Sequence, residues 1–534
     1  MLWWEEQVLI RYRLLLSLIF SVFFSAVSAP AAAKSFDVVV YGGTAGGVAT
    51  AVAAAREGAR VALLEPGRHL GGMVSGGLGW TDYGKKEVIG GMSLEYFERV
   101  GRHYNEPVTW HFEPHVAEQV FNEMVKESGV RLFLSHRLRE SDGVRKRGAV
   151  IQEIVMENGD IFRAKVFADC TYEGDLMAQA KVSFTWGRES SAQYGESLAG
   201  VRGHRPYHQF TVRVSPFDKD GKLLPEVDPG PKGEVGAADR KVQAYNFRLC
   251  LTDVESNRVP LGRPANYTAW RYELLARMIE AMVEKDGRAP ALDKLMKPDR
   301  IPNGKTDVNN NGAFSTDYIG KSWDYPNASY AKRERIWQDH KDYIAGFLYF
   351  LANDPRVPQE LRREMNRWGL ARDEFTDTAN WPRQLYVREA RRMTGPFVMT
   401  QKDIQTDLTK EDPIGMGSYN SDSHNVQRVA TADGAVENEG DMQVPVTPYQ
   451  IPYRVLLPKR EEVTNLLVPV CFSASHVAYS TVRMEPQYMI LGEAAGIAAK
   501  LAIARKCAVQ DVDTKALTGK LVANKARMSY NKAK

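Results

Sequence analysis

The sequence predicts an α/β fold in which a core of parallel strands and crossover helices is interrupted by a large α+β segment. Three observations predict it. FDVVVY, Phe36 to Tyr41, is a short β-rich run that ends at glycines, as a buried parallel strand does. Alanine-rich helical sequence follows from Val48 to Glu57, Gly58 stops it, and RVALLE (Arg60 to Glu65) is a second apolar strand, completing one βαβ unit. The carboxy-terminal part returns to the same texture after a long polar stretch. With 534 residues the chain exceeds one compact core, so two domains, or one with a long insertion, are expected.

The other elements follow in order. Pro114 to Ser128 reads as a helix that feeds the strand-like run VRLFLSH. In GAVIQEIVMENGDIFRAKVFADC, Asn158-Gly159 stands between two alternating runs and marks a hairpin, after which a strand enters CTYEGD. From Ser190 to Tyr453 the sequence is polar, proline-punctuated and aromatic, with helices at Tyr267 to Glu284 and Ala331 to Leu351. LLVPVCFSAS is strand-like, and Glu485 to Ala504 is a small-residue helix with Pro486 in its first turn. The division is therefore residues 34–189 and 456–534 for the two parts of the core, 190–455 for the insertion and 1–33 for a leader.

The leader is read from Arg11 and Arg13 before the apolar run Leu14 to Val27, then small residues Ala26 to Ala29 and Ala31 to Ala33 that suit signal peptidase. The run is short for a membrane span, so cleavage near Pro30 or Lys34 and export to the periplasm or medium are expected; an uncleaved anchor is the alternative. Arg11-Tyr12-Arg13 is not a twin-arginine pair, which favours export before folding. Charge is nearly balanced, 70 basic against 66 acidic residues, with no basic stripe, so nucleic acid is not an expected partner. Cys170, Cys250, Cys471 and Cys507 form no CxxC pair or histidine cluster, so no metal is expected and buried free thiols are favoured over disulfides.

The stretch YGGTAGGVATA nearly spells the dinucleotide fingerprint GxGxxG but carries Thr44 at the middle glycine position. Gly42 allows the tight strand-to-helix turn, and Gly47 lets the helix pack on the strand and the backbone approach a pyrophosphate at the helix N-terminus. Gly43 and Gly46 flank Thr44, whose small hydroxyl could bond a phosphate oxygen. Glu65 ends the second strand, where an acid accepts from ribose hydroxyls and disfavours a 2′-phosphate, as FAD or NAD requires. The Gly71-Gly72 pair in PGRHLGGMVSGGLGW, a few residues on, favours FAD.

Longer blocks carry a resemblance: VVVYGGTAGGVATAVAAAREG, CTYEGDLMAQAKVSFTWGRE, AYNFRLCLT, KTDVNNNGAFSTDYIG, QLYVREARRMTG, NEGDMQVPVTPYQIPYR and SASHVAYSTVRMEPQYMILGEAAGIAA, from Phe36 to Leu501. In them the chain resembles the FAD-dependent oxidoreductase family with a glutathione-reductase-like FAD domain, specifically a secreted bacterial branch whose members often carry the label xanthan lyase. The resemblance implies a Rossmann-like FAD domain with a substrate or cap insertion. It implies FAD bound by Gly42, Gly43, Gly47 and Glu65, with the Gly71-Gly72 region and the carboxy-terminal helix of Glu485 and Gly492 completing the site. Many flavoproteins show Ala-Thr-Gly where this chain has Cys170-Thr171-Tyr172, so Thr171 keeps the expected role and the glycine contact does not.

For chemistry, the N-terminus at Glu485 suits the negative charge of a reduced flavin, and Arg483 beside it adds a formal charge or forms a structural salt bridge. His476 is the first candidate base for a hydroxyl proton, against a packing or capping role; His424 is the second, against a loop histidine bonded to Asp422. Arg388, Arg391 and Arg392, if helical, share a face that clamps a carboxylate or diphosphate, or is simply solvated. KTDVNNNG and NEGD offer amides and carboxylates to sugar hydroxyls, or are turns, and His69 is a position to check for covalent flavin. The expected function is dehydrogenation of a small-molecule substrate, a sugar or sugar-derived alcohol, with hydride to flavin N5 and an unnamed electron acceptor. A polysaccharide lyase and a noncatalytic flavin- or glycan-binding protein are the alternatives.

Overall fold

The computed structural model describes residues 33–530, so the expected leader lies outside the described residues apart from its last position. Among the described residues no helix is long and apolar enough to cross a membrane. The centre is a five-stranded parallel sheet. Its strands are β1 (Val38–Tyr41), β2 (Val61–Leu64), β3 (Arg131–Phe133), β4 (Val166–Asp169) and β5 (Leu466–Leu467), in the order β5-β4-β1-β2-β3. In register, Val38 faces Val61 on one side and Val166 on the other.

Alternation along these strands builds three layers. Val38, Val40, Val61 and Leu63 point to the helices and pack with Val48 and Val52. Val39, Tyr41, Ala62 and Leu64 point the other way, onto Ile151, Ile154 and Phe162. Those last residues belong to a small sheet in which Val150–Val155 and Ile161–Arg163 pair antiparallel across the Asn158-Gly159 turn, with Gly159 at φ +87°. Both faces of the parallel sheet are covered, which is why its strands read as unbroken apolar runs.

The crossover helix α1 (Ala45–Arg56) begins three residues earlier than the alanine-rich pattern indicates, because Thr44 caps it. Helix α2 (Pro114–Ser128) matches the expected range and ends at Gly129 in the left-handed region. Past β4 the chain leaves the parallel sheet and returns only at β5, which pairs directly with β4. The intervening segment forms its own five-stranded antiparallel sheet, in the order 258–260, 369–371, 251–252, 305–310, 296–301. It also carries helix α3 (Tyr330–Asn353), capped by Ser329. Its apolar side chains, Phe247 and Phe347 among them, merge with Val38, Val48 and Phe121 in one buried cluster.

Three expectations are corrected. LLVPVCFSAS keeps only Leu466–Leu467 as strand, since Pro469 has no amide to donate and the chain turns into helix α4 (His476–Val482). REARRMTG is not helical: Arg392–Met393 pairs as strand with Phe184–Thr185, and Arg388 and Arg392 are buried with carboxylate partners instead of sharing a solvated face. KTDVNNNG is no turn, because Lys305–Asn310 is a central strand of the second sheet. All four cysteines are free, and only Cys507 is not buried.

Helix α5 (Glu485–Arg505) crosses α1 at very close range. A Cβ on Gly492 would stand 2.2 Å from the Gly46 carbonyl oxygen, and one on Gly496 2.4 Å from that of Thr50. Such a crossing admits no side chain on either glycine, so Gly492→Val is expected to destabilise the protein by about 1–3 kcal/mol through overpacking. Urea unfolding of the flavin-free protein checks it; an unchanged midpoint would show that the helices are not in contact there.

Candidate functional site

The crossover from β1 into α1 is possible only because Gly42 and Gly47 carry no side chain. Gly42 has φ +102°, and a Cβ there would meet the Cys170 carbonyl carbon and the Thr171 amide nitrogen at 2.8 Å. A Cβ on Gly47 would lie 1.9 Å from the Gly42 carbonyl oxygen. The N-terminus of α1, with its unpaired amides and positive dipole end, is thereby brought to the carboxyl edge of the sheet. Thr44 accepts from the Gly47 N–H at 3.1 Å and donates its one proton to the Cys170 carbonyl at 2.7 Å. Its hydroxyl therefore caps the helix and is not free to donate to a phosphate, which explains why a residue other than glycine fits here.

A cavity of about 500 Å³ runs along this edge, and Gly42, Thr44, Glu65, Gly72, Thr171 and Tyr172 are among its walls. Glu65 accepts from the amides of Gly43 at 2.7 Å and Gly67 at 2.5 Å, and burial pushes its carboxyl up to about 7. Gly71 donates to the Gly43 carbonyl at 2.7 Å and so fixes the two glycine segments side by side. Thr171 donates to Asp169 at 2.7 Å. Gly46 and Gly492 are placed at the α1–α5 crossing, not on the cavity wall. His69 does line the cavity, but both its ring nitrogens lie 2.8 Å from carboxylates, those of Glu118 and Asp377.

Tyr172 links the cavity to the N-terminus of α5. Its hydroxyl accepts from the Met73 amide at 2.9 Å and donates to Glu485 Oε1 at 2.9 Å. Burial pushes Glu485 up to about 8, and its Oε2 is buried without a partner. Past Gly76 on the cavity wall, Gly79 and Trp80 donate to Asp307, which holds Arg248 through two 2.7 Å bonds, and Asp82 accepts from Tyr419 at 3.0 Å.

Further along stands His424, in a group of charged side chains. Its Nδ1 is 2.6 Å from Asp317, and Arg388 stands 3.0 Å from the other Asp317 oxygen. Burial, then Arg388, lowers the His424 pKa, so the ring is neutral at pH 7 and donates its Nδ1 proton to Asp317. Burial alone would raise the Asp317 pKa, but Arg388 and His424 hold it down to about 2. His424 Nε2 is 3.9 Å from Asp422, too far for a hydrogen bond, and the His208 ring stacks parallel with its centroid 6.4 Å away. Arg483 donates to the Asp422 carbonyl at 2.9 Å, tying the loop of His424 to the start of α5.

His476 is joined to the His424 loop through Glu389 and Gln243. At the first turn of α4 its Nδ1 is 2.8 Å from Glu389 and its amide donates to Glu189 at 2.9 Å; burial drives its pKa down to about 3. Glu389 and Glu189 also pair with Arg392, so His476 sits in a closed ionic network. Arg391 pairs with Asp175 at 2.6 Å, while Glu439 of NEGD is bound by Arg188 at 2.7 Å. Glu113, His115 and Glu374 are grouped as metal ligands could be, but the Lys305 ammonium lies 2.7 Å from both glutamates and already bridges them. No local pattern in the sequence marks Asp317 or Asp82, whose partners are far away along the chain, whereas Tyr172 stands out as the departure from Ala-Thr-Gly.

The family described as FAD dependent oxidoreductase matches residues 37–521. The chain belongs to this family. Its cofactor is FAD. No protein of curated function matches. Among solved structures, L-proline dehydrogenase from P. horikoshii is 15% identical, with a TM-score of 0.24 over 30% of this chain and 59% of its own. L-amino acid deaminase from Proteus vulgaris is 16% identical, with a TM-score of 0.23 over 31% of this chain and 54% of its own. The chain thus spans less than two thirds of either structure.

The residues present fit FAD. Gly42 and Thr44 bring the amino end of α1 to the cavity wall, Glu65 offers a carboxylate there, and Glu485, bonded to Tyr172 of that wall, has a buried Oε2 without a partner. Ribose hydroxyls donate best to an ionised acid, so FAD affinity is expected to weaken toward tenfold per unit as pH falls below about 7, where Glu65 takes up its proton. The raised pKa also means that this group stabilises the flavin-free protein at low pH and ceases to do so as pH rises from about 4.5 through about 7. Titrations of wild type and Glu65→Gln check this: the variant binds more weakly at pH 8 and lacks the slope, whereas a slope unchanged in the variant would assign it to another group.

Proposed function

We propose that the protein is an FAD-dependent dehydrogenase of a sugar or sugar-derived alcohol, working after export with an electron acceptor yet to be identified, and that residues 190–455 form its substrate cap. The observation that carries this reading is the His424–Asp317–Arg388 chain beside the start of α5. Arg388 fixes Asp317, Asp317 accepts the Nδ1 proton, and His424 Nε2 keeps its lone pair for a substrate hydroxyl. As the alcohol carbon loses hydride, the hydroxyl proton passes to that nitrogen and a carbonyl forms, with the imidazolium held by Asp317. FAD, when bound, supplies the two-electron acceptor. Asp317 stays ionised throughout, because its pKa lies near 2.

The charges around His424 favour a neutral polyhydroxy substrate over a uronate. Arg248, Arg388 and Arg483 each face a carboxylate: Asp307, Asp317 and Asp422. Asp82 and Asp441 lack such a partner; burial raises the pKa of both, that of Asp441 to about 7. Their carboxyl oxygens accept hydrogen bonds from sugar hydroxyls, and with each arginine already matched by a carboxylate no unpaired cation is left to hold a uronate. Export rests on the apolar leader at residues 14–27.

Anaerobic mixing of the flavin-loaded protein with neutral sugars, polyols and uronic acids tests the reading. A neutral sugar or polyol is expected to bleach the flavin, and His424→Ala to slow that reduction by about 10²–10⁴-fold with FAD still bound. Bleaching by uronates alone, or a His424→Ala protein reduced at the wild-type rate, contradicts it.

A further inference from the structure

The cavity along Gly42 and Glu65 has a second wall that the parallel-sheet core does not supply. Tyr330, Arg333 and Trp337 of α3 form part of it, together with Arg383 and Gln384. Arg333, Trp337, His340, Ile344 and Phe347 follow one another at helical spacing of three and four, so they share one stripe of α3. The carboxy-terminal members, Ile344 and Phe347, end in the core. Trp337 instead reaches the cavity and stays half-buried, touching Phe247 edge-on at 5.6 Å. Tyr330 already carries the Arg137 guanidinium over its ring at 4.6 Å, which leaves Trp337 as the large aromatic of α3 that lines the cavity without a cation on its ring.

The wall is fastened to the core at both ends. Arg333 grips Asp175 with bonds of 2.6 and 3.0 Å, the Tyr330 hydroxyl donates to the Leu138 carbonyl at 3.0 Å, and Tyr325 donates to Glu173 at 2.9 Å. At the other rim Arg383 bonds Glu118 at 2.7 Å and Asp377 at 2.8 Å, the same two carboxylates that His69 joins. These ties span the core and the intervening segment, and they enclose the length of cavity nearest Glu65.

We propose that α3 completes the dinucleotide site, with Trp337 packing against the adenosine portion of FAD while the Asp175 and Glu118–Asp377 ties hold the wall over it. Adenine is the flat, weakly polar piece of the cofactor, and base–aromatic contact is tolerant of exact pose. Binding FAD then involves residues that arrive nearly three hundred positions after the glycine turn, and the cofactor leaves only when a tied wall opens. The inference concerns cofactor retention and is independent of the substrate.

Flavin-free protein titrated with FAD and with ADP, which carries the adenosine half alone, tests it. Trp337→Ala is expected to weaken both ligands about tenfold, Trp337→Phe to restore them, and the unfolding midpoint of the flavin-free variant to stay at the wild-type value. Should the alanine variant fail to fold, Trp337→Leu keeps the bulk and removes the flat ring, with the same loss expected. Wild-type affinity for ADP in the folded alanine or leucine variant overturns the proposal, as does a weakening of FAD that leaves ADP untouched.

Discussion

The amino end of α1 reaches the edge of the sheet only because nothing stands between Gly47 and Gly42, where a Cβ would come within 1.9 Å of a carbonyl oxygen. Everything that follows is placed by that contact. It sets the helix amides beside the end of β4, lets Thr44 close the first turn through its own hydroxyl, and leaves α5 free to pack on α1 through Gly492 and Gly496. A second constraint of the same kind sits behind it: Gly71 donates to Gly43, so the segment after Glu65 runs beside the glycine turn and the acid faces the cavity.

The intervening segment does more than connect β4 to β5. Its sheet and helices share the core's apolar cluster, and its charged residues are threaded into buried networks with both parts of the core: Arg392 with Glu189, Glu389 with His476, Asp422 with Arg483. Buried pairs of this sort contribute little net stability, since desolvation offsets most of the attraction, but removing one partner leaves the other uncompensated. They therefore favour one arrangement of the two parts. That arrangement brings His424, Asp317 and Arg388, from three distant stretches, to the start of α5.

What the sequence shows and what it hides divide along contact distance. The βαβ unit, the Asn158-Gly159 hairpin, α2 and the start of α5 are legible because turn chemistry, capping and apolar period act within a few residues. The reading of REARRMTG as a helix fails for the opposite reason: helix-compatible residues form a buried extended stretch because their partners, Asp317 and Glu189, lie far off in sequence. The two histidines show the same limit. Both stand in stretches without local signature, and only the fold shows that His476 Nδ1 faces Glu389 while His424 Nδ1 faces Asp317. Thr44 was legible as a departure from the fingerprint, but its hydroxyl's acceptor, the Cys170 carbonyl, was not.

The close approach of α1 to β1, allowed by Gly42 and Gly47, builds the FAD site. Calorimetric titration of flavin-free protein with FAD tests it most directly when wild type is compared with a folded Gly47→Ala variant. The account predicts one FAD per chain for wild type and no measurable binding for the variant, whose new methyl would push α1 off the Gly42 carbonyl. Equal binding by the two proteins would contradict it.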